Sequence, residues 1–244
     1  RLVSELSEQR AKPPIRRVGK LPEKPKGKLP TGDPAMIFQV LTEEQLSPEL
    51  AALKPKYLYV PLTLMAEKLD LLRPFAEQGT IPVAVLPRVI ADNEAAAVYD
   101  MLSRMFDQGV NEALVGNLGH AMLAKKAGMK LRGDFGLNTF NSLSMEVIRQ
   151  AGFISATASF ELRLSQIRDM IKPLDTELII YGRIPLMVSD QCIIRHSAGR
   201  CNCQTPGQMA DRMGSVFPVV KEFGCRNVIY NAHKLYLADK AEDV

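Results

Sequence analysis

Tryptophan is absent from these 244 residues, aromatic side chains make up only 6% of them, and histidine occurs three times. No unbroken apolar run approaches the roughly 18 residues that a membrane-spanning helix needs, so the sequence predicts a soluble, cytoplasmic protein with no membrane partner. Four cysteines are too few to staple a chain of this size as a disulfide scaffold. His120, His196 and His233 stand far apart, which leaves no His-Glu-x-x-His helix of a zinc hydrolase. A Gly-x-Ser-x-Gly elbow is missing, as are the glycine fingerprints of dinucleotide and P-loop sites.

What remains is ordinary globular material, 46% hydrophobic and 24% charged. The net charge of +4 is unevenly placed: residues 1–32 hold nine Lys and Arg against three Glu, so the rest of the chain is slightly acidic. Composition therefore gives no general case for nucleic-acid binding by the folded part. Residues 1–33 read as the end of a helix followed by a linker. The chain opens at Arg1 in a helix-like stretch, as if inside a longer protein, and then carries Pro13, Pro14, Pro22, Pro25 and Pro30 with the basic run Arg16, Arg17, Lys20, Lys24, Lys26 and Lys28. Such a segment buries too little apolar surface to fold alone, and a solvated linker is favoured over an RNA contact.

From residue 34 to 190 short apolar runs alternate with amphipathic stretches. The runs Ala35–Leu41, Tyr57–Leu62, Ile81–Leu86, Glu112–Gly116, Lys130–Asp134, Phe153–Thr157 and Thr176–Tyr181 predict seven strands. Helices are predicted over Ala66–Gln78, Asn93–Gln108 and Ser142–Gln150, with Gly79, Gly109, Gly128 and Gly152 as stops. Strand-helix repeats of this spacing imply an α/β fold with a parallel sheet, read as a TIM-like (β/α) barrel that is incomplete or irregular because one unit is missing. Residues 191–244 read as a small cysteine-rich C-terminal appendage. The rhythm breaks at Val188, without strand or helix until Gln208, and two strands follow near Val216–Val220 and Arg226–Tyr230.

All four cysteines, Cys192, Cys201, Cys203 and Cys225, fall in the last 53 residues. Four thiolates in a loop-rich region suit an iron–sulfur cluster, most simply of the four-iron type. Zinc is the alternative, although a Cys-x-Cys pair fits its usual spacing poorly; unligated thiols are the third. Function in a barrel gathers at the C-terminal strand ends. The polar residues there are Arg88, Asn117, His120, Asp134, Asn138, Ser159, Glu161 and Arg183. Arg132 and Asp134 alternate on one face, toward the mouth, as a substrate contact or an internal ion pair. Arg132, Asp134, Asn138 and Arg183 are the candidate substrate-binding residues, with helix capping as the rival role for Asn138 and Asn141.

Five stretches carry a resemblance: Glu112–Gly119, Arg132–Asn138, Tyr181–Met187, Asp211–Pro218 and Cys225–Asn231. Together they resemble peptidase family U32, the collagenase-like proteases, in its longer bacterial form, over about residues 35 to 235. The resemblance implies a TIM-like barrel with a four-cysteine site, matched by Cys192, Cys201, Cys203 and Cys225. It implies either cleavage of collagen-like or other peptides, or iron–sulfur-dependent, oxygen-independent hydroxylation of RNA or a small aromatic substrate. Four ligands and no proteolytic nucleophile favour hydroxylation, with an electron donor to be found. A peptidase is the alternative, and a noncatalytic barrel that binds a partner is the third reading.

Overall fold

The computed structural model describes residues 1–15, 19–20, 23, 25, 34–200, 207–237 and 239–240. Seven strands form one parallel sheet in sequence order: β1 (Ile37–Gln39), β2 (Tyr57–Pro61), β3 (Ile81–Val85), β4 (Glu112–Val115), β5 (Lys130–Gly133), β6 (Phe153–Thr157) and β7 (Asp175–Glu177). Period-two alternation sorts their side chains. Leu58, Val60, Ala84, Ala113, Val115, Leu131 and Ala156 point outward into the main core, whereas Tyr59, Val83 and Leu114 form an inner cluster with Ile37, Tyr57 and Val85. The sheet curls until the Tyr59 hydroxyl on β2 donates to Glu177 on β7 at 2.7 Å. Among the described residues no ladder joins β1 to β7, so the barrel is curled but not closed.

The helices are α1 (Leu2–Ala11), α2 (Pro48–Ala52), α3 (Leu62–Lys68), α4 (Arg73–Ala76), α5 (Ala95–Asp107), α6 (Ala121–Lys126), α7 (Ser142–Gln150), α8 (Leu164–Asp169) and α9 (Ile193–Ala198). On α5, Val98, Leu102 and Met105 lie at helical spacing and are buried under the sheet. The four predicted stops, Gly79, Gly109, Gly128 and Gly152, all adopt φ between 85° and 91°, a region open to glycine at little cost. The single helix predicted over Ala66–Gln78 is instead three pieces: α3, a 3-10 turn at Leu69–Leu72, and α4. Lys68 leaves helical geometry at φ −135°, and Pro74, which has no N–H to give to Asp70, sits in the first turn of α4, so no continuous ladder runs through the segment. No helix among the described residues is long and apolar enough to cross a membrane.

Beyond β7 the chain leaves the barrel sheet. Six short strands follow: β8 (Tyr181–Gly182), β9 (Pro185–Ser189), β10 (Gly207–Ala210), β11 (Val216–Lys221), β12 (Asn227–Tyr230) and β13 (Leu235–Tyr236). Four of them make an antiparallel sheet in the order β10-β11-β12-β9, and β13 pairs with β8. This corrects the two-strand reading of the tail and the view that Val188–Gln208 lacks regular structure. β9 and β10 are supported mainly by backbone pairing with their neighbours, which leaves little periodic pattern in the sequence. Ile194 of α9 packs with Val219 and Ile229 of the sheet.

Arg226 fastens this sheet to the barrel. Its guanidinium, 9% exposed, pairs with Glu94 before α5 at 2.9 Å and with Asp190 at 2.6 Å. A second tie runs from the Arg88 amide, just past β3, to Glu222 Oε1 at 3.1 Å. The antiparallel sheet therefore sits over the C-terminal ends of the barrel strands.

Candidate active site at the barrel mouth

A cleft of 450 Å³ opens between the barrel's strand ends and the antiparallel sheet. Its walls are Arg88 and Val89 after β3, Gly116, Asn117 and Leu118 after β4, Gly136 and Leu137 after β5, Ile148 on α7 and Val188 on β9. The loops after β4 and β5 approach too closely for any side chain between them. A Cβ built on Gly136 would overlap the Gly116 carbonyl oxygen and lie 3.1 Å from Arg88 Nη2. Gly136→Ala should accordingly cost about 1–3 kcal/mol of stability, the usual penalty for overpacking, measured by urea unfolding. It should also spread the two walls of the cleft.

Arg88 is the hub. Its guanidinium lies 4.5 Å from the centre of the Phe135 ring, and it has no ion pair within 4 Å among the described residues. Two carboxyl groups feel its charge. Asp134, one residue past β5, caps the 3-10 turn Phe135–Leu137 by accepting from the Phe135 amide at 2.7 Å. Burial pushes its pKa up to about 6, against the Phe135 amide and the Arg88 charge, and Glu177 below adds to the rise. Burial also raises Glu222, opposed by the Arg88 amide and by the charges of Arg88 and Arg226. Glu222 Oε2 is buried and has no hydrogen-bond partner among the described residues. Tyr230 closes the group: burial, with the negative charge of Glu222 and Asp134 and against that of Arg88, pushes its hydroxyl up to about 12.

The other sequence-predicted residues are dispersed. Arg132 lies inside the barrel rather than at the mouth, its side chain 3% exposed, bonded to Glu112 at 2.6 Å and to Glu177 at 2.8 Å. It also bonds Ser155 at 3.0 Å and stacks 3.7 Å from the centre of the Tyr57 ring. Burial acts to lower its pKa, but Tyr59, Glu112 and Glu177 outweigh that effect and hold it raised. Its ion pairs are thus with Glu112 and Glu177 and not with Asp134. Asn138 ends the Phe135–Leu137 turn at φ 51°. It does not cap α7, a task taken by Asn141, which accepts from Leu143 and Ser144. Arg183 donates to the carbonyls of Asn231 and Ala232, tying β8 to the end of β12. Asn117 accepts from Gly119 at the start of the next turn. His120 is buried, which lowers its pKa against a bond to the Pro87 carbonyl.

Cys192 caps α9, its sulfur accepting from the Arg195 amide at 3.3 Å, and Cys225 is exposed at φ 60°; both are free thiols. Cys201 and Cys203 lie outside the described residues. Among the described residues no three His, Cys, Asp or Glu side chains gather as metal ligands. The start of α9 is pinned by Asn227, whose Oδ1 accepts from Ile193 at 2.6 Å. Its Nδ2 is buried and has no partner among the described residues.

Sequence reasoning missed Glu222 and Tyr230 because their barrel neighbours, Arg88 and Asp134, come from two loops distant in the chain. Tyr230 falls inside the Cys225–Asn231 stretch that carries the family resemblance, the one signal that pointed there.

The sequence model of peptidase family U32 matches residues 67–212. No curated protein matches the chain. Among solved structures, the U32 peptidase Mk0906 is 13% identical with a TM-score of 0.46, covering 65% of this chain and 73% of that one. A D-psicose 3-epimerase in the presence of D-fructose is 11% identical with a TM-score of 0.37, covering 56% and 66%. The Bacillus cereus spore cortex-lytic enzyme SleL is 9% identical with a TM-score of 0.40, covering 81% and 64%.

Proposed function

The chain belongs to peptidase family U32, and from that premise we propose that the barrel mouth hydrolyses peptide bonds with Asp134 and Glu222 as its working carboxyl groups. The observation that carries this reading is the pair of carboxyls held above their usual range by burial, both feeling the charge of Arg88, a guanidinium without an ion pair among the described residues. With a pKa of about 6, Asp134 is mostly ionised at neutral pH yet basic enough to take a proton from water. The water oxygen attacks the scissile carbonyl carbon, and the resulting oxyanion faces Arg88. As the C–N bond breaks, the leaving nitrogen takes a proton from Glu222, whose burial favours the protonated form. The proton on Asp134 then returns the pair to its starting state.

The test is release of new amino termini from gelatin and from short peptides. Cleavage that persists under chelation and in Cys192→Ala, but is lost in Glu222→Gln with an unchanged melting curve, is the expected result. Absence of cleavage by the full protein on any peptide would overturn the reading.

A second reading keeps the thiols as ligands of an iron–sulfur cluster. Asn227 favours it, because it holds Cys192 beside the approach to β12, two residues from Cys225, and leaves a buried donor without a partner among the described residues. Such an atom suits a nearby sulfur acceptor, so the donor chemistry fits a group held by Cys192, Cys201, Cys203 and Cys225. A cluster there would supply single electrons for oxygen-independent hydroxylation of RNA or a small aromatic. Anaerobic purification with iron and sulfide analysis decides it: a colourless protein without iron, or with stoichiometric zinc, would end this reading.

A further inference from the structure

We propose that the cleft selects peptides with an aliphatic side chain next to the scissile bond, seated against Leu118, Leu137, Ile148 and Val188; the proposal rests on the hydrolytic reading of the same cleft. Among the described residues the lining contains one charged side chain, Arg88, and one polar one, Asn117. Every other lining side chain is aliphatic, while Gly116 and Gly136 contribute backbone alone. A volume of 450 Å³ falls within the range of small-ligand sites and takes a side chain with its flanking backbone.

Leu118 is the informative residue. It is 52% exposed although it stands on the cleft wall, so much of its apolar surface has no protein neighbour. One helical turn further along, Met122 is 71% exposed and extends the apolar strip outward from the cleft. Lys125 of α6 bonds the Ala151 carbonyl at the end of α7, which keeps these two helices side by side. A ligand side chain laid against Leu118 would remove that surface from water, which favours association roughly in proportion to the area covered.

The same chemistry disfavours a nucleic-acid chain. Phosphates need several cations along their path, whereas Arg88 is alone here and Asp134 and Glu222 stand next to it. An acidic peptide side chain would feel the like charge of ionised Asp134, which lies behind Gly116 of the lining. An aliphatic one finds the side chains of Leu118, Leu137, Ile148 and Val188.

Binding, measured apart from cleavage, tests this. Fluorescence polarisation with the full protein would compare labelled peptides that differ only in a central Leu, Asp or Lys, together with a labelled RNA of similar length. The Leu peptide should bind at least about 10-fold more tightly than the Asp peptide, the scale of discrimination that apolar pockets achieve. Leu118→Asp should erase that preference without shifting the melting curve, since Leu118 is exposed. Equal affinities, a preference that survives Leu118→Asp, or tighter binding of RNA would overturn the proposal. A clear preference without any cleavage would instead overturn hydrolysis and leave the aliphatic subsite standing.

Discussion

Asp134→Asn is expected to abolish peptide hydrolysis while making the protein more stable at neutral pH. Removing a positioned general base costs about 10²- to 10⁴-fold in rate. The stability effect follows from the folded pKa of about 6, against an unfolded value of about 3.9. Folding favours the protonated form, so the contribution of Asp134 to stability is complete below about pH 4 and is lost as the pH climbs through 6. At pH 7 the ionised carboxylate therefore costs roughly 2–3 kcal/mol, and an amide at this position avoids that cost. Asn keeps the oxygen that accepts from the Phe135 amide, so the turn should hold. Urea unfolding at pH 4 and pH 7 gives the stability arm: wild type should weaken between the two and the variant should not. Activity should rise with pH through about 6 in the wild type. A variant that loses both activity and stability would mark Asp134 as a structural residue.

Arg132→Met should give the largest loss of stability. The guanidinium is shared by Glu112, Ser155 and Glu177 inside the barrel, and its removal leaves two carboxylates enclosed without their cation. Breaking a buried pair from one side costs about 3–5 kcal/mol. Urea unfolding should show this at pH 7, and the deficit should shrink on acidification, which neutralises the carboxylates left behind. Arg132→Lys should recover only part of the loss, because an ammonium cannot serve three acceptors from one plane while stacking on Tyr57. Full recovery by Lys would show that charge alone, without the planar fork, sustains the interior.

Where the sequence was informative, it was so because local chemistry decided the outcome. β6 occupies Phe153–Thr157 as predicted, since aromatic and β-branched residues gather there and Gly152, at φ 85°, stops the helix before it. The stops at Gly79 and Gly109 were legible for the same reason. Pro74 was also visible, but the apolar spacing of Leu69, Leu72 and Phe75 concealed its breaking effect. The antiparallel sheet was only half legible: β9 and β10 draw their stability from distant partners, a source with no local pattern. At the site, Asp134 was found through its alternation with Arg132, yet the two part company where β5 ends. Arg132 points into the interior, and Asp134 turns to the mouth. Glu222 and Tyr230 acquire their meaning only from Arg88, more than a hundred residues earlier.

The unclosed edge between β1 and β7 changes the mechanics of the barrel. A closed ladder behaves as a hoop, and changing its diameter means breaking several backbone hydrogen bonds together. Here the Tyr59–Glu177 side-chain contact reaches across the bore from β2, one strand in from the edge, to β7, so the barrel is a split ring held by a clasp. A split ring can widen with little disturbance elsewhere, and the clasp shares Glu177 with Arg132. The bore at the level of Asp134 is thus set by an adjustable joint, and strain from a bulky substrate at the mouth would be relieved at that seam.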